Sequence, residues 1–229
     1  MMKTRTLIRS CLLAATALVV PAGMPSAAEA ARPPAPTLKP APNGGRVDQA
    51  GFIRHWLVLE PASVNGRLTE EEVEKQLQAT QLPASPTALP RAGESVAGNG
   101  GERRWHALET TNYNLNLYHF AWALSKPTSN VLFEIATVVE APQDMQDVRL
   151  AIGSNAASVW FVNGERVVAL YNDRQAVIDD GVSKRLSLRK GRNVIRAIII
   201  NAGGATDFCA RFLDAEDRPI RGLTVSINP

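Results

Sequence analysis

Val159-Trp160-Phe161-Val162-Asn163-Gly164-Glu165-Arg166-Val167-Val168 is the stretch on which the fold turns. Two β-branched and aromatic runs flank an Asn-Gly pair, and a type I′ turn needs positive φ at both central residues, which Asn and Gly accept most readily. The stretch therefore reads as a β-hairpin. Working outward, Leu115 to Trp122, Asn130 to Val139, Val148 to Ile152, Ser158 to Val162, Arg166 to Leu170, Arg185 to Leu188, Val194 to Ile200, Phe208 to Leu213 and Gly222 to Ile227 are short strand-like runs separated by turn residues. That cadence predicts an all-β antiparallel sandwich. Lys190-Gly191-Arg192 and Asp214 to Arg218 suggest two further hairpins.

Alternation assigns faces. Val148, Leu150 and Ile152 point one way and Arg149 and Ala151 the other, and Leu186 and Leu188 oppose Arg185 and Ser187, so these strands have one wet face. Val194 to Ile200 is apolar on both faces apart from Arg196, as in a central strand covered on both sides.

Toward the N-terminus, Phe52 to Leu59 reads as a strand bounded by Gly51 and Pro61. Thr69 with Glu72 three residues on forms a capping-box pattern, predicting one short helix over Glu70 to Ala79 with Val73 and Leu77 facing the body. Gln81 to Glu102, rich in Pro, Ala, Gly and Ser, is expected as an exposed long loop. Within it Gly93-Glu94-Ser95-Val96-Ala97 comes close to a serine nucleophile elbow, but no strand precedes Gly93 to form the required turn.

The ends bear on compartment. Lys3, Arg5 and Arg9 precede an apolar run from Cys11 to Val20, and Ala28-Glu29-Ala30 offers small residues around a cleavage point, so residues 1–30 read as a secretory signal peptide. Pro21, Gly23 and Pro25 interrupt the run too early for a membrane span. Residues 31–46, with Pro33, Pro34, Pro36, Pro40 and Pro42, read as a disordered extended tether, which leaves residues 47–229 as the sandwich domain in a periplasmic or secreted protein.

The 229 residues are 45% hydrophobic and 21% charged, with 16 Gly, 15 Pro and 2 Cys, which excludes collagen-like, fully disordered and disulfide-stapled classes. Cys209 alone survives signal removal, and its apolar neighbours make it a buried small residue. Three of 25 basic and one of 22 acidic residues lie in the signal, so 22 basic against 21 acidic residues remain, a net charge of +1. With no basic block interleaved with aromatics, nucleic-acid binding is not expected.

Gly153-Ser154-Asn155, Val159 to Glu165, Leu188-Arg189-Lys190-Gly191-Arg192-Asn193 and Phe208 to Asp214 occur in one order that resembles the galactose-binding-like jelly-roll domains, the sugar-binding-type domains of exported bacterial proteins and glycoside hydrolases. The resemblance covers roughly Gly51 to Pro61 and Trp105 to Val225. It implies a jelly-roll β-sandwich whose end loops carry the ligand. Two departures stand out: Asn155-Ala156 replaces an acidic pair, and Glu60 replaces the glycine before Pro61. Structural calcium is common in such sandwiches, but Asp173, Asp179 and Asp180 show no defined ligand spacing, so no cofactor is expected.

No catalytic set assembles. His55, His106 and His119 lack metal-binding spacing, Glu70-Glu71-Glu72 and Asp179-Asp180 have ordinary roles in a helix dipole and a solvated loop, and Gly203-Gly204 opens no phosphate-binding helix. No enzyme is expected. A sugar site needs only an aromatic platform with Arg, Asn or Asp at a loop edge. Trp105 and Tyr171 are the candidate platforms, with Asn172, Asp173, Arg174 and Arg211 as polar contacts. The sequence thus predicts an exported, non-catalytic carbohydrate-binding module, with an accessory or scaffold subunit that binds another exported protein as the alternative.

Overall fold

The computed structural model describes residues 38–41, 43–80, 85, 87–98 and 101–229. The expected signal peptide and residues 31–37 and 42 of the expected tether lie outside them, as do residues 81–84, 86 and 99–100 of the expected loop. In chain order the elements are β1 (Leu38–Pro40), β2 (Gly45–Arg46), β3 (His55–Leu59), β4 (Ala62–Ser63), α1 (Glu70–Ala79), β5 (Ser95–Gly98), β6 (Gly101–Thr110), β7 (Leu115–Asn116), α2 (Leu117–Ala123), β8 (Val131–Ala141), β9 (Met145–Ser154), β10 (Ala157–Val162), β11 (Glu165–Leu170), β12 (Gly181–Val182), β13 (Leu186–Leu188), β14 (Gly191–Asn201), β15 (Asp207–Leu213) and β16 (Thr224–Ser226).

These form two antiparallel sheets, so the fold is the all-β sandwich that the strand cadence and the resemblance implied. The larger follows the path β1-β6-β3-β8-β14-β10-β11, with β4 and β16 sharing the β3 edge of β8, β2 paired to β16 and β5 to β6. The smaller follows β12-β9-β15-β7, with β13 also on β9. From β8 onward the chain passes repeatedly from one sheet to the other. Asn163 and Gly164 take φ of 51° and 88° in the turn between β10 and β11, the positive pair that the Asn-Gly signal demanded.

Strand alternation then builds the core. Trp56, Val58, Phe133, Ile135, Trp160, Ile195, Ala197 and Ile199 of the large sheet face Val148, Leu150, Ile152, Phe208, Ala210 and Phe212 of the small one. Trp56, Trp160 and Phe208 meet edge-on, with ring centroids 5.1–6.0 Å apart. The opposite face of the large sheet is apolar too. Val73 and Leu77 of α1 pack on Leu132, Val159, Ile198 and Ile200, while Leu89 and Val96 cover Leu57, Leu59, Trp105, Val138 and Val194. β14 is therefore buried on both sides.

Several expectations need correction. Within the expected tether, Leu38–Pro40 pairs with β6 and Gly45–Arg46 with β16. Proline is tolerated there because β1 is an edge strand. Within the expected 81–102 loop, Ser95–Gly98 is a strand on β6, anchored by half-buried Val96. Ser95 is exposed on that strand, not on a strand-to-helix turn. The predicted helix forms over Glu70–Ala79, but Thr69 makes no side-chain cap.

A second helix, α2, occupies most of the run expected as a strand from Leu115 to Trp122. Asn116 caps it by accepting from the His119 amide at 2.7 Å, and Leu117, Phe120 and Ala121 are buried at helical spacing. Lys190-Gly191-Arg192 is not a hairpin, since β13 pairs with β9 and β14 with β8. Asp214 to Arg218 does reverse the chain, with Leu213 bridging Pro219, before β16 crosses to the large sheet.

Candidate functional site

The six residues expected to form a ligand site do not converge. Trp105 is only 4% exposed and packs with Leu89 on the outer face of the large sheet, where it lines the recess described below, apart from the other five. The Tyr171 hydroxyl donates to Glu74 at 2.9 Å and accepts from Arg166, which locks its ring against the α1 contact. Asn172 and Asp173 are exposed; the Asn172 amide donates to the Leu68 carbonyl at 2.7 Å. Arg174 pairs with Asp180. Arg211 lies on the outer face of the small sheet, paired with Asp179, bonded to the Ala50 carbonyl at 3.0 Å and stacked 4.8 Å from the Phe52 ring centre.

Residues 171–180 thus form a strap that runs from α1 on one outer face to β9 on the other. Gly153 makes the second attachment possible, because a Cβ there would lie 2.2 Å from the Val177 carbonyl oxygen. Asn155, at the turn where the resembling domains carry acidic residues, is held by Asp207: its side-chain oxygen accepts from the Asp207 amide at 2.6 Å, and its own amide donates to the Asp207 carbonyl at 3.2 Å. Cys209 beneath the strap has its thiol pushed up to about 11 by burial, so it stays protonated and unreactive at neutral pH.

A cavity of about 580 Å³ opens elsewhere, on the outer face of the large sheet between α1 and β5. Its size falls in the roughly 300–1,000 Å³ range of small-molecule sites. The register that builds its floor sets Leu59 opposite Trp105 and, through the Leu57–Ala136 pair, carries the row to Glu134. Alternation then turns Leu59, Trp105, Leu132, Glu134 and Arg196 all outward. Gln76 of α1 and Thr80 at its C-cap form one wall, Val96 and Pro90 the other, and exposed Glu94 stands at the rim.

Three charged groups sit on this floor. Arg103 Nη2 lies 3.4 Å from Glu134 Oε1, with the two side chains 17% and 12% exposed. Arg103 Nη1 also donates to the Glu60 carbonyl at 3.5 Å. Arg196, 7% exposed, donates to the Ala88 carbonyl, while its Nε is buried with no partner among the described residues. Burial pushes the Glu134 carboxyl up, against the opposing pull of Arg103 and then Arg196. Burial likewise pushes the Arg196 guanidinium down, with Glu134 opposing.

Sequence reasoning missed this group, although the signal was present. Glu134 and Arg196 are lone charges inside apolar strands, and a charge at the centre of a doubly covered strand needs a reason. Among the described residues no group of three or more His, Cys, Asp or Glu side chains is placed to hold a metal ion. No helix among them is long and apolar enough to cross a membrane.

No protein-family model matches the chain, and no curated protein matches it in sequence. Among solved structures, a PA14 sugar-binding domain from an RTX adhesin superposes with a TM-score of 0.46 at 10% identity, covering 76% of this chain and 99% of that one. The PA14 domain of the MpAFP antifreeze protein gives 0.40 at 13% identity, covering 72% and 90%. A β-glucosidase from Kluyveromyces marxianus, in complex with glucose, gives 0.38 at 13% identity, covering 69% of this chain and 16% of that one.

Proposed function

We propose that this chain is an exported, non-catalytic module that binds carbohydrate in the cavity between α1 and β5. The observation that carries the reading is the Arg103, Glu134 and Arg196 group on the floor of a recess lined by both apolar and polar side chains. A sugar is amphipathic, with C–H faces that suit Leu59, Leu132 and Val96 and hydroxyls that suit the guanidiniums, the carboxylate, Gln76 and Thr80. Such a site holds a ligand at millimolar to micromolar affinity, about 4–8 kcal/mol. Export is supported by the basic, apolar and small-residue succession of the first thirty residues.

Titrating the full chain by calorimetry with neutral and acidic oligosaccharides tests the reading. Ala79, exposed on α1 at the cavity wall, offers a blocking variant: Ala79→Trp should abolish binding while leaving the melting temperature within a few degrees of wild type. Silence across the whole panel sinks the function, and binding that Ala79→Trp does not weaken moves the site elsewhere.

A second reading, an accessory subunit that docks on protein, is favoured by Trp122 on α2 and Val177 on the strap, exposed by 59% and 53%. Co-purification of a stoichiometric partner that is lost in Trp122→Ser would support it over the first.

A further inference from the structure

We propose that the cavity is built for an acidic sugar, whose carboxylate seats between the Arg103 and Arg196 guanidiniums. This deepens, and rests on, the assignment of the cavity as a carbohydrate site.

Donor accounting leads there. Each guanidinium carries five N–H donors in a planar fork. Among the described residues Arg103 finds the Glu60 carbonyl and Glu134, and Arg196 finds the Ala88 carbonyl. Arg196 is more than nine-tenths buried, yet its acceptor is a neutral carbonyl and its Nε has none. A buried cation so served keeps much of its desolvation cost. Glu134 forms its ion pair with Arg103 and none with Arg196 among the described residues, so the floor carries two positive charges against one negative.

The walls do not supply the missing anion. Gln76 of α1 and the C-cap residue Thr80 are neutral, and the rim carboxylate of Glu94 is exposed and accepts from the Arg91 amide at 2.8 Å. Hydroxyls of a neutral sugar could accept from the forks but would leave the surplus charge in place. A carboxylate supplies both the acceptors and the counter-charge, in the bidentate geometry that arginine favours. The directions in which burial moves Glu134 and Arg196 are those of charges short of compensation.

Glucose and glucuronate share one ring and differ at C6, so they are the probes. In NMR titrations of the full chain, glucuronate should bind about tenfold or more tightly than glucose. Glu134→Gln removes the competing anion and should raise that ratio at least about threefold, a gain that a folding defect cannot mimic. Arg103→Gln should bring the ratio close to one, and thermal melts should show both variants folded.

The ratio should also rise as pH falls toward the ordinary glutamate value in wild type, because Glu134, held above that value, takes up a proton beside Arg103 of β6 and Arg196 of β14, with Glu94 at the rim. It should not do so in Glu134→Gln. Equal affinities, tighter glucose, or a ratio unmoved by either variant overturns the acidic preference while leaving a carbohydrate site standing. If neither sugar nor any larger saccharide binds, both readings fall.

Discussion

The large sheet has two buried faces, and they are closed by different means. Its inner face meets a second sheet whose side chains interdigitate with it, so Trp56, Trp160 and Phe133 are fully buried. Its outer face meets a ten-residue helix, a short hairpin and the segment around Leu89, which together leave a recess. Sheet on sheet fills space continuously, whereas a helix and a loop side by side leave the gap between them.

Two glutamates on neighbouring strands show the consequence. Glu60, on the inner side at the end of β3, receives Lys126 at 2.9 Å and His106 at 3.0 Å. Burial alone would raise its carboxyl, but the hydrogen bonds and charges of Lys126 and His106 outweigh burial and hold it below the ordinary glutamate value. Glu134, on the outer side, has Arg103 at 3.4 Å, and burial wins. The same side chain is fully served in a closed region and under-served in an open one, and it is the under-served one that is left to meet a ligand.

The contrast can be broken most severely from inside. Trp160→Ala empties the centre of the edge-on aromatic trio and should cost about 3–5 kcal/mol in chemical denaturation. Val73→Ala, on the α1 contact with the outer face, should cost about 1.5–3 kcal/mol and loosen one cavity wall. Equal losses from the two would mean that the outer cover packs as tightly as the inner sheet.

The smallest effects lie in the pH dependence, where the two glutamates should act with opposite sign. Glu60, held below 4.5, contributes stability that is present above that value and lost as pH falls through its folded value. Glu134, held above 4.5, carries a cost when ionised that is relieved as pH falls toward that value. Melting curves of Glu60→Gln should therefore show a shallower acid loss, and those of Glu134→Gln should lose the gain on mild acidification. The same slope change in both variants would refute the contrast.

Much of the fold was legible. The Asn-Gly turn and the two-sided apolarity of β14 are local patterns, and each corresponds to an element with the expected burial. Along β9 the inward Val148, Leu150 and Ile152 are buried as expected, but Ala151, on the face expected to be wet, is buried too. α2 was not legible, because an apolar aromatic run of that length suits strand or helix and the Asn116 cap tips it. The strands at Leu38–Pro40 and Ser95–Gly98 escaped notice because proline and glycine mark turns locally, while an edge partner supplied from afar can still recruit them.

The site was less legible than the fold. Trp105, Tyr171, Arg174 and Arg211 have the chemistry a ligand needs, but each finds a partner inside the chain: Leu89, Glu74, Asp180 and Asp179. From sequence alone came the sandwich, because a period of two states which residues must leave water. Only the tertiary structure decided where a ligand could enter. A pattern says that a face is covered but not by what, and the gap between α1 and β5, like the meeting of Arg103, Glu134 and Arg196 beneath it, exists only once distant strands lie side by side.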